Sequence, residues 1–427
     1  VLPADIATDN STNKSIDKII TIGIDDPTTG DGHDSGVIVD VVSPEIEKVS
    51  TDVDVAAQTA TMVFNVKDKY LNTSSSVTTS NIKVYVNGAE STSVTKTLSR
   101  VTENDVSATV NGTQRVVSQQ YSLTISGFAT DANQVKVKFA EDIVTDLNGN
   151  SNKETDILLY NVLRSATSEQ VNTSAFLGKS SIQRQNIENV TFETSIPDTI
   201  YNSSTGEIVN TTTWDVSAQQ DKSILAWYET NNDQGALKVH IGSNDEIFAN
   251  QDSSYLFSNI GYADICTASE TITNLNLLDV SNVTNMDHMF YYCGYTAMTT
   301  LYLGDKFDTS SVTNMKTMFK DCGHTAMTSL NLGNNFNTSS VTDMNWMFVN
   351  TGYGAMTSLD LGDKFNTIKV TNMSHMFHEC GREAMTSLDL GDKFVTTSVT
   401  DMSYMFAYCG HTEMTSLYLG DKFNTRS

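Results

Sequence analysis

Four cysteines stand at one recurring position. Cys293 and Cys322 are 29 residues apart, as are Cys380 and Cys409, and Thr351 takes the same place between the two pairs. Cysteines spaced by a repeat can join neighbouring coils as disulfides, ligate a metal, or pack as small hydrophobes. Zinc is disfavoured because no Cys-x-x-Cys pair occurs. The stretch LFSNIG at Leu256–Gly261 is a divergent copy of MFYYCG at Met289–Gly294, with Ile260 at the cysteine position. A position that accepts Ile, Cys and Thr is a buried small-residue position. A ladder of free thiols is therefore expected, with Cys293–Cys322 and Cys380–Cys409 disulfides as the alternative. Cys266 lies outside the ladder.

Seven histidines raise the question of acid–base chemistry. His324 and His411 share a repeat position with Tyr295, Tyr353 and Arg382; His288 and His375 share another with Thr317, Trp346 and Tyr404. A position that tolerates Tyr, Thr, Trp or Arg is not a catalytic acid or base. No G-x-S-x-G, H-E-x-x-H or phosphate-cradling loop is present. No catalytic residue, and no enzyme, is expected. Asp146, Asn148 and Asn150 alternate as calcium ligands do, but the bidentate Glu is missing, so a plain turn is expected, with calcium as the alternative. The GDGHDSG stretch around Asp31 is read the same way, as a loop. No cofactor is expected. Asp305, Asp363, Asp392 and Asp421 each precede a lysine, Lys306, Lys364, Lys393 and Lys422, and such exposed pairs contribute little.

The elements that carry these residues repeat. Val283, Val312, Val341, Val370 and Val399 mark a strict 29-residue period, the sign of a stacked array. All but one of the 16 methionines fall in this array, at three fixed positions. Val283, Met286, Phe290 and Cys293 are spaced three or four apart, which predicts one face of a short helix ended by Gly294. Met298, Leu301 and Leu303 then read L-x-x-L-x-L, predicting a strand, and Phe307 returns to the core.

Upstream, residues 44–162 alternate apolar and polar: Met62, Phe64, Val66; Ile82, Val84, Val86; Tyr121, Leu123, Ile125; Val135, Val137, Phe139. This pattern predicts an all-β sandwich of the immunoglobulin-like kind. Residues 1–43 are read as the tail of a preceding β domain or a linker, 163–182 as a linker, 183–281 as a β-rich capping module, and 282–427 as the solenoid of 29-residue units, truncated at its C-terminus. The fold class expected is thus an all-β sandwich, a β-rich cap and an α/β leucine-rich-repeat solenoid.

Asp and Glu number 51 against 26 Lys and Arg, a net charge of −25, which argues against nucleic acid and anionic lipid as partners. With 39% hydrophobic residues the chain has enough for folded cores. No run of eighteen apolar residues exists, so no membrane insertion is expected. The start, VLPADIATDN, and the end, GDKFNTRS, read as the interior of a longer protein, with any secretion signal and wall anchor outside this stretch. Asn-x-Ser/Thr triplets, as at Asn72 and Asn282, are expected by chance in so Ser/Thr/Asn-rich a chain.

The tandem VTNMxxMF…CG…TSLxLGDKF resembles the BspA-type leucine-rich repeats of bacterial surface proteins, and the stretch from Trp214 to Phe257 is similar to the segment that precedes such repeats. The resemblance implies a secreted or wall-attached bacterial protein, extracellular, used for adhesion or macromolecular contact, and supplies no catalytic residues. The partner expected is a protein or glycan on another cell or matrix, or a second copy of the chain. Between the strand leucines the letters vary: Tyr302, Asn331, Asp360, Asp389 and Tyr418. On the expected helix face they vary as Trp346, His375 and Tyr404. Varied, partly aromatic surface positions over a fixed core are the expected contact residues. A structural subunit of a surface layer, stalk or filament is the alternative.

Overall fold

In the computed structural model, residues 42–166, 175–198, 213–230 and 234–425 are described. The expectations for residues 1–41, including the Asp31 loop, fall outside them. The chain divides into two compact units, Val1–Ala129 with Lys136–Leu159, and Thr130–Val135 with Tyr160–Ser427.

In the first unit, strands β1 (Glu45–Asp54), β2 (Thr59–Lys67), β3 (Ile82–Val86), β4 (Ala89–Glu90), β5 (Thr95–Arg100), β6 (Val106–Val110), β7 (Thr113–Ser126), β8 (Gln134–Phe139) and β9 (Thr155–Asn161) make two sheets. One runs β1-β2-β7-β5, with β6 also on β7; the other runs β4-β3-β8-β9. The period-two residues face inward: Met62, Phe64, Leu123 and Ile125 are fully buried, and Phe64 meets Tyr121 at 5.3 Å and Phe139 of the opposite sheet at 4.9 Å. Burying each such side chain contributes roughly 1.5–3 kcal/mol.

The second unit opens with β10 (Ile187–Glu193), β11 (Trp214–Asp215), β12 (Leu225–Thr230) and β13 (Leu237–Gly242), followed by the short β14 (Ile247–Phe248), β15 (Ile272–Thr273) and β16 (Leu278–Asp279). The sheet order is β11-β12-β13-β10-β15, and β14 pairs with β16. Leu163, Phe176, Leu177 and Ile182, from the polar 163–182 stretch, belong to its core. Arg184 is buried beside them and donates to the carbonyls of Ala175 (3.0 Å), Tyr255 (2.7 Å), Leu256 (3.2 Å) and Ser258 (3.2 Å). A buried guanidinium needs such acceptors, so it clamps the turn at 255–258 onto the 175–184 segment.

The repeats continue that core. Phe290, Phe319, Phe348, Phe377 and Phe406 stack face to face at 5.3–5.6 Å, and the methionines from Met286 to Met385 are buried. The strands are brief: β17 (Thr300–Tyr302), β18 (Ser329–Asn331), β19 (Ser358–Leu359), β20 (Ser387–Asp389) and β21 (Ser416–Tyr418). They form two separate parallel sheets, β17-β18 and β19-β20-β21.

The expected fold class is corrected here. The described residues contain no α-helix, only single 3-10 turns such as Leu275–Leu277. The chain is nearly all β, in several small sheets with no closed solenoid, so an α/β leucine-rich-repeat solenoid is not what folds, and the fold class built on it falls. Where a helix was expected, Met286–Cys293 is a succession of turns. Met289, Tyr291 and Cys293 donate to Met286, His288 and Phe290, three residues back, at 3.1–3.2 Å. The amides between them, Met286, His288, Phe290 and Tyr292, donate instead to Asn314, Lys316, Met318 and Lys320 of the next repeat at 2.8–3.1 Å. The reason is backbone handedness. His288 has φ 59° and Tyr292 φ 54°, in the left-handed region, which breaks i→i+4 bonding. Thr317 and Asp321, Trp346 and Asn350, His375 and Glu379, and Tyr404 and Tyr408 repeat the pattern. Turns in succession place residues three and four apart on one side, so the spacing mimicked a helix.

Polar ladders complete the stacking. Asp252, Asn285, Asn314, Asp343, Asn372 and Asp401 bridge in parallel, each to the next, and Asn285 and Asn314 donate from their side chains to Asp252 and Asn285 at 3.0 Å. Thr309, Thr338 and Thr367 are fully buried; each hydroxyl donates to the carbonyl, and accepts from the amide, of a residue 28 positions on. Gly294, at φ 61°, has no room for a side chain, since a Cβ there would lie 2.4 Å from Met298.

Candidate binding surface

The strand row stands as an exposed column. Tyr302 pairs in register with Asn331, and Asp389 with Tyr418. Tyr302 is 51% and Tyr418 47% exposed. The three acidic or amide members have a local task. Asn331, Asp360 and Asp389 accept the amide of the glycine two residues on, Gly333, Gly362 and Gly391, at 2.8–2.9 Å. This Asx turn holds each glycine at positive φ, between 72° and 76°. Tyr418 instead reaches Asp392 at 3.3 Å and Asp421 at 3.4 Å, and those carboxylates push its phenol above the usual tyrosine range.

Trp346, His375 and Tyr404 lie elsewhere, on the turns, each at one of the positive-φ positions. Their rings stack: Trp346 on His375 at 4.7 Å, His375 on Tyr404 at 5.0 Å. Tyr255 and His288 form the other end of this row at 4.7 Å, and Thr317, buried, interrupts it. The row is thus less uniformly exposed than the sequence suggested; Tyr404, at 67%, is its most open member. Among the described residues no ring contact or hydrogen bond joins the strand row to this one, so the expected contact residues form two groups.

Sequence reasoning missed the neighbours that complete the turn face. Tyr262, Tyr295, His324 and Tyr353 make a second row, with Tyr295–His324 at 4.5 Å and His324–Tyr353 at 4.6 Å. Arg382 ends it, 5.7 Å from Tyr353 and 5.0 Å from Tyr408, and pairs with Glu379. Lys320 joins the rows: its Nζ lies 5.1, 5.4 and 5.7 Å from Tyr291, Tyr292 and Trp346, and 2.8 Å from Asp321. Such cation–ring contacts are each worth about 0.5–2 kcal/mol. The missed signal was compositional: the repeat position of Tyr295 varies among Tyr, His and Arg, all able to stack or sit on a ring, while that of Tyr291 holds Tyr, Lys and His but also Val349 and Ala407.

Burial governs the protonation of this face. It pushes the Tyr292 phenol up to about 12, assisted by Asp321. Burial lowers the His324 and His375 imidazoles, and His378 lowers His375 further. The thiols are shielded too. All five cysteines are free; Cys266, Cys293, Cys322 and Cys380 are buried and Cys409 half-buried. Burial pushes Cys266 and Cys409 up to about 12, and Cys322 is raised by burial and by Cys293. Thiols held protonated in this way are poor nucleophiles.

The Asp146 turn closes on its own hydrogen bonds. One oxygen of its carboxylate accepts the amides of Asn148 (2.8 Å) and Asn150 (2.7 Å), the other the Asn150 side chain (2.6 Å). Among the described residues no group of three or more His, Cys, Asp or Glu side chains is placed to hold a metal ion. None of their helices is long and apolar enough to cross a membrane.

The family described as "Mycoplasma protein of unknown function, DUF285" matches residues 256–353 and, overlapping them, 325–418. A repeat domain of that type therefore runs from Leu256 in the first turn to Tyr418 in β21. No curated protein and no solved structure matches the chain.

Proposed function

We propose that the repeat domain is a non-enzymatic contact surface of an extracellular bacterial protein, BspA-like in role, which adheres to a macromolecule through its turn face. The observation that carries this reading is the continuous set of stacked rings and cations, Trp346–His375–Tyr404 beside Tyr295–His324–Tyr353, crossed by Lys320 and Arg382. Rigid aromatic and arginine side chains are the residues that dominate binding energy at interfaces. The coil-to-coil hydrogen bonds hold them without a further ordering cost on binding. A net charge of −25 supports a solvated surface, and the matching family's description supports a bacterial source. The strand row, with three of five members occupied in Asx turns, takes the lesser part.

The test is binding of the fluorescently labelled full chain to intact cultured cells. Trp346→Ala with Tyr353→Ala should abolish it, while Asp360→Asn with Asp389→Asn should leave it unchanged. Binding lost only in the second pair moves the contact to the strand row. Filaments or lattices in light scattering and microscopy of the wild type favour the structural-subunit alternative.

A further inference from the structure

Ile272 and Leu301 stand one 29-residue period apart, as do Leu301 and Leu330. The second pair sits in register in the β17–β18 sheet. The first does not pair: β15 turns to β10 instead, and among the described residues β17 has no strand on its other side. The separation begins at Asn274, which adopts φ 57° and leads into the turn Leu275–Leu277. The parallel ladder thus opens between the first two coils, leaving a cavity of about 490 Å³ between Ile272–Asn276 and Thr300–Lys306.

The two segments that flank the slot approach each other at two points. The Thr299 amide donates to the Ser269 carbonyl at 3.0 Å on one side. On the other, a Cβ on Gly304 would lie only 3.3 Å from that of Asn276. These approaches shorten the slot, so the space suits a compact ligand better than a long peptide strand. Its walls are mixed: Ile272 and Leu275 are apolar, while Glu270, Lys306, Asn276, Thr300 and Asp305, whose Oδ1 also accepts from the Asn334 side chain at 2.8 Å, are polar. Backbone adds to them. Leu303 donates to Asn331 on the β18 side, so the alternation of a parallel ladder turns the Thr300 and Tyr302 peptide groups toward the slot. One half-exposed ring, Tyr302, supplies an apolar face.

We propose that this slot binds a single sugar residue of a glycan, with the Tyr302 ring against the sugar's C–H face and Asp305, Glu270 and Lys306 on its hydroxyls. Vicinal hydroxyls both donate and accept, which matches walls that mix carboxylates, an ammonium, an amide and backbone peptide groups. A small set of placed polar groups with one aromatic is the composition of a small-ligand site. The proposal stands apart from the turn-face reading, because no turn-face residue lines the slot.

The experiment is ligand-observed NMR on the full chain with glucose, galactose, mannose and N-acetylglucosamine at millimolar concentration, each tested singly. At least one should bind. Tyr302→Asn, which copies Asn331, and Asp305→Asn, which copies Asn334, should each weaken it about tenfold or more, since such a site loses a paired group. Asp363→Asn, the equivalent of Asp305 two repeats on and outside the slot, should not. All three variants borrow residues already used in this array or close isosteres, and unchanged melting curves establish that they fold. Absence of binding by all four sugars overturns the proposal, as does binding that both slot variants leave intact. Cell adhesion by the turn face is measured separately, so either result can fail alone.

Discussion

The ring of His375 lies on that of Trp346, centroids 4.7 Å apart and planes 25° from parallel, although both residues occupy backbone positions with φ near 60°. Stacking between repeats here accompanies a conformation that side-chain-bearing residues seldom adopt, and it makes the array sensitive to the charge of the imidazole.

That sensitivity has a sign. Burial lowers the His324 and His375 pKa below the unfolded value. The unfolded chain then binds more protons than the folded one in the window between them, so stability rises with pH there. Acidification from neutral pH through the ordinary histidine range, near 6.5, should destabilise the repeats, with the loss complete below the lowered folded values. His324→Tyr with His375→Tyr, copying Tyr353 and Tyr404, should flatten the dependence. Melting temperatures read across this range check it; equal slopes in the two proteins would refute it.

The Asx turns of the strand row predict a graded pair. Asp389→Asn keeps an acceptor for the Gly391 amide and should change stability by under about 0.5 kcal/mol. Asp389→Ala removes it and should cost about 1 kcal/mol, comparable to losing a helix N-cap. Urea denaturation of both variants distinguishes this task from a purely solvated aspartate, for which the two would behave alike.

Arg184 offers a larger effect. Arg184→Met removes the donor that the Tyr255, Leu256 and Ser258 carbonyls share. Leaving several buried acceptors unpaired should cost about 3 kcal/mol or more. Hydrogen exchange should show the loss first at residues 255–261, with little change in the first unit.

The thiols make a chemical prediction. Alkylation after denaturation should find all five cysteines free. Under native conditions at pH 8, Cys293, Cys322 and Cys380 should resist iodoacetamide, and Cys409, half-buried, should react slowly and first. Cys380→Thr copies Thr351, whose hydroxyl donates to the Phe319 carbonyl at 2.8 Å, and should be tolerated within about 1 kcal/mol. A Cys293–Cys322 disulfide in the isolated protein would contradict the ladder.

What could be read from the sequence was the period and the set of buried columns. Met286, Phe290, Cys293, Leu301 and Phe307 are all buried, because repetition within one chain exposes which letters packing holds fixed. The backbone path escaped for a definite reason. Overlapping turns and a helix both bring residues three and four apart together, and left-handed residues are usually marked by Gly or Asn, whereas here His288, Tyr292, Thr317 and Trp346 take that role. The Thr309 column was likewise hidden, since a threonine buried to bond the next coil looks in sequence like a surface residue. Of the candidate site, the variable positions were legible but not their division into two rows, which depends on where each turn points its side chain.

The alternation of backbone bonds within Met286–Cys293 has a mechanical meaning. Half of the amides tie each coil to the next rather than to itself, so a tether pulling the chain from one end loads the ladder one rung after another, as a zipper is loaded, instead of shearing all coils together. Each coil that peels away releases its 29 residues, about 100 Å of extended chain. Under tension the array would let out length in steps of that size while the coils behind remain folded, as a shock absorber does.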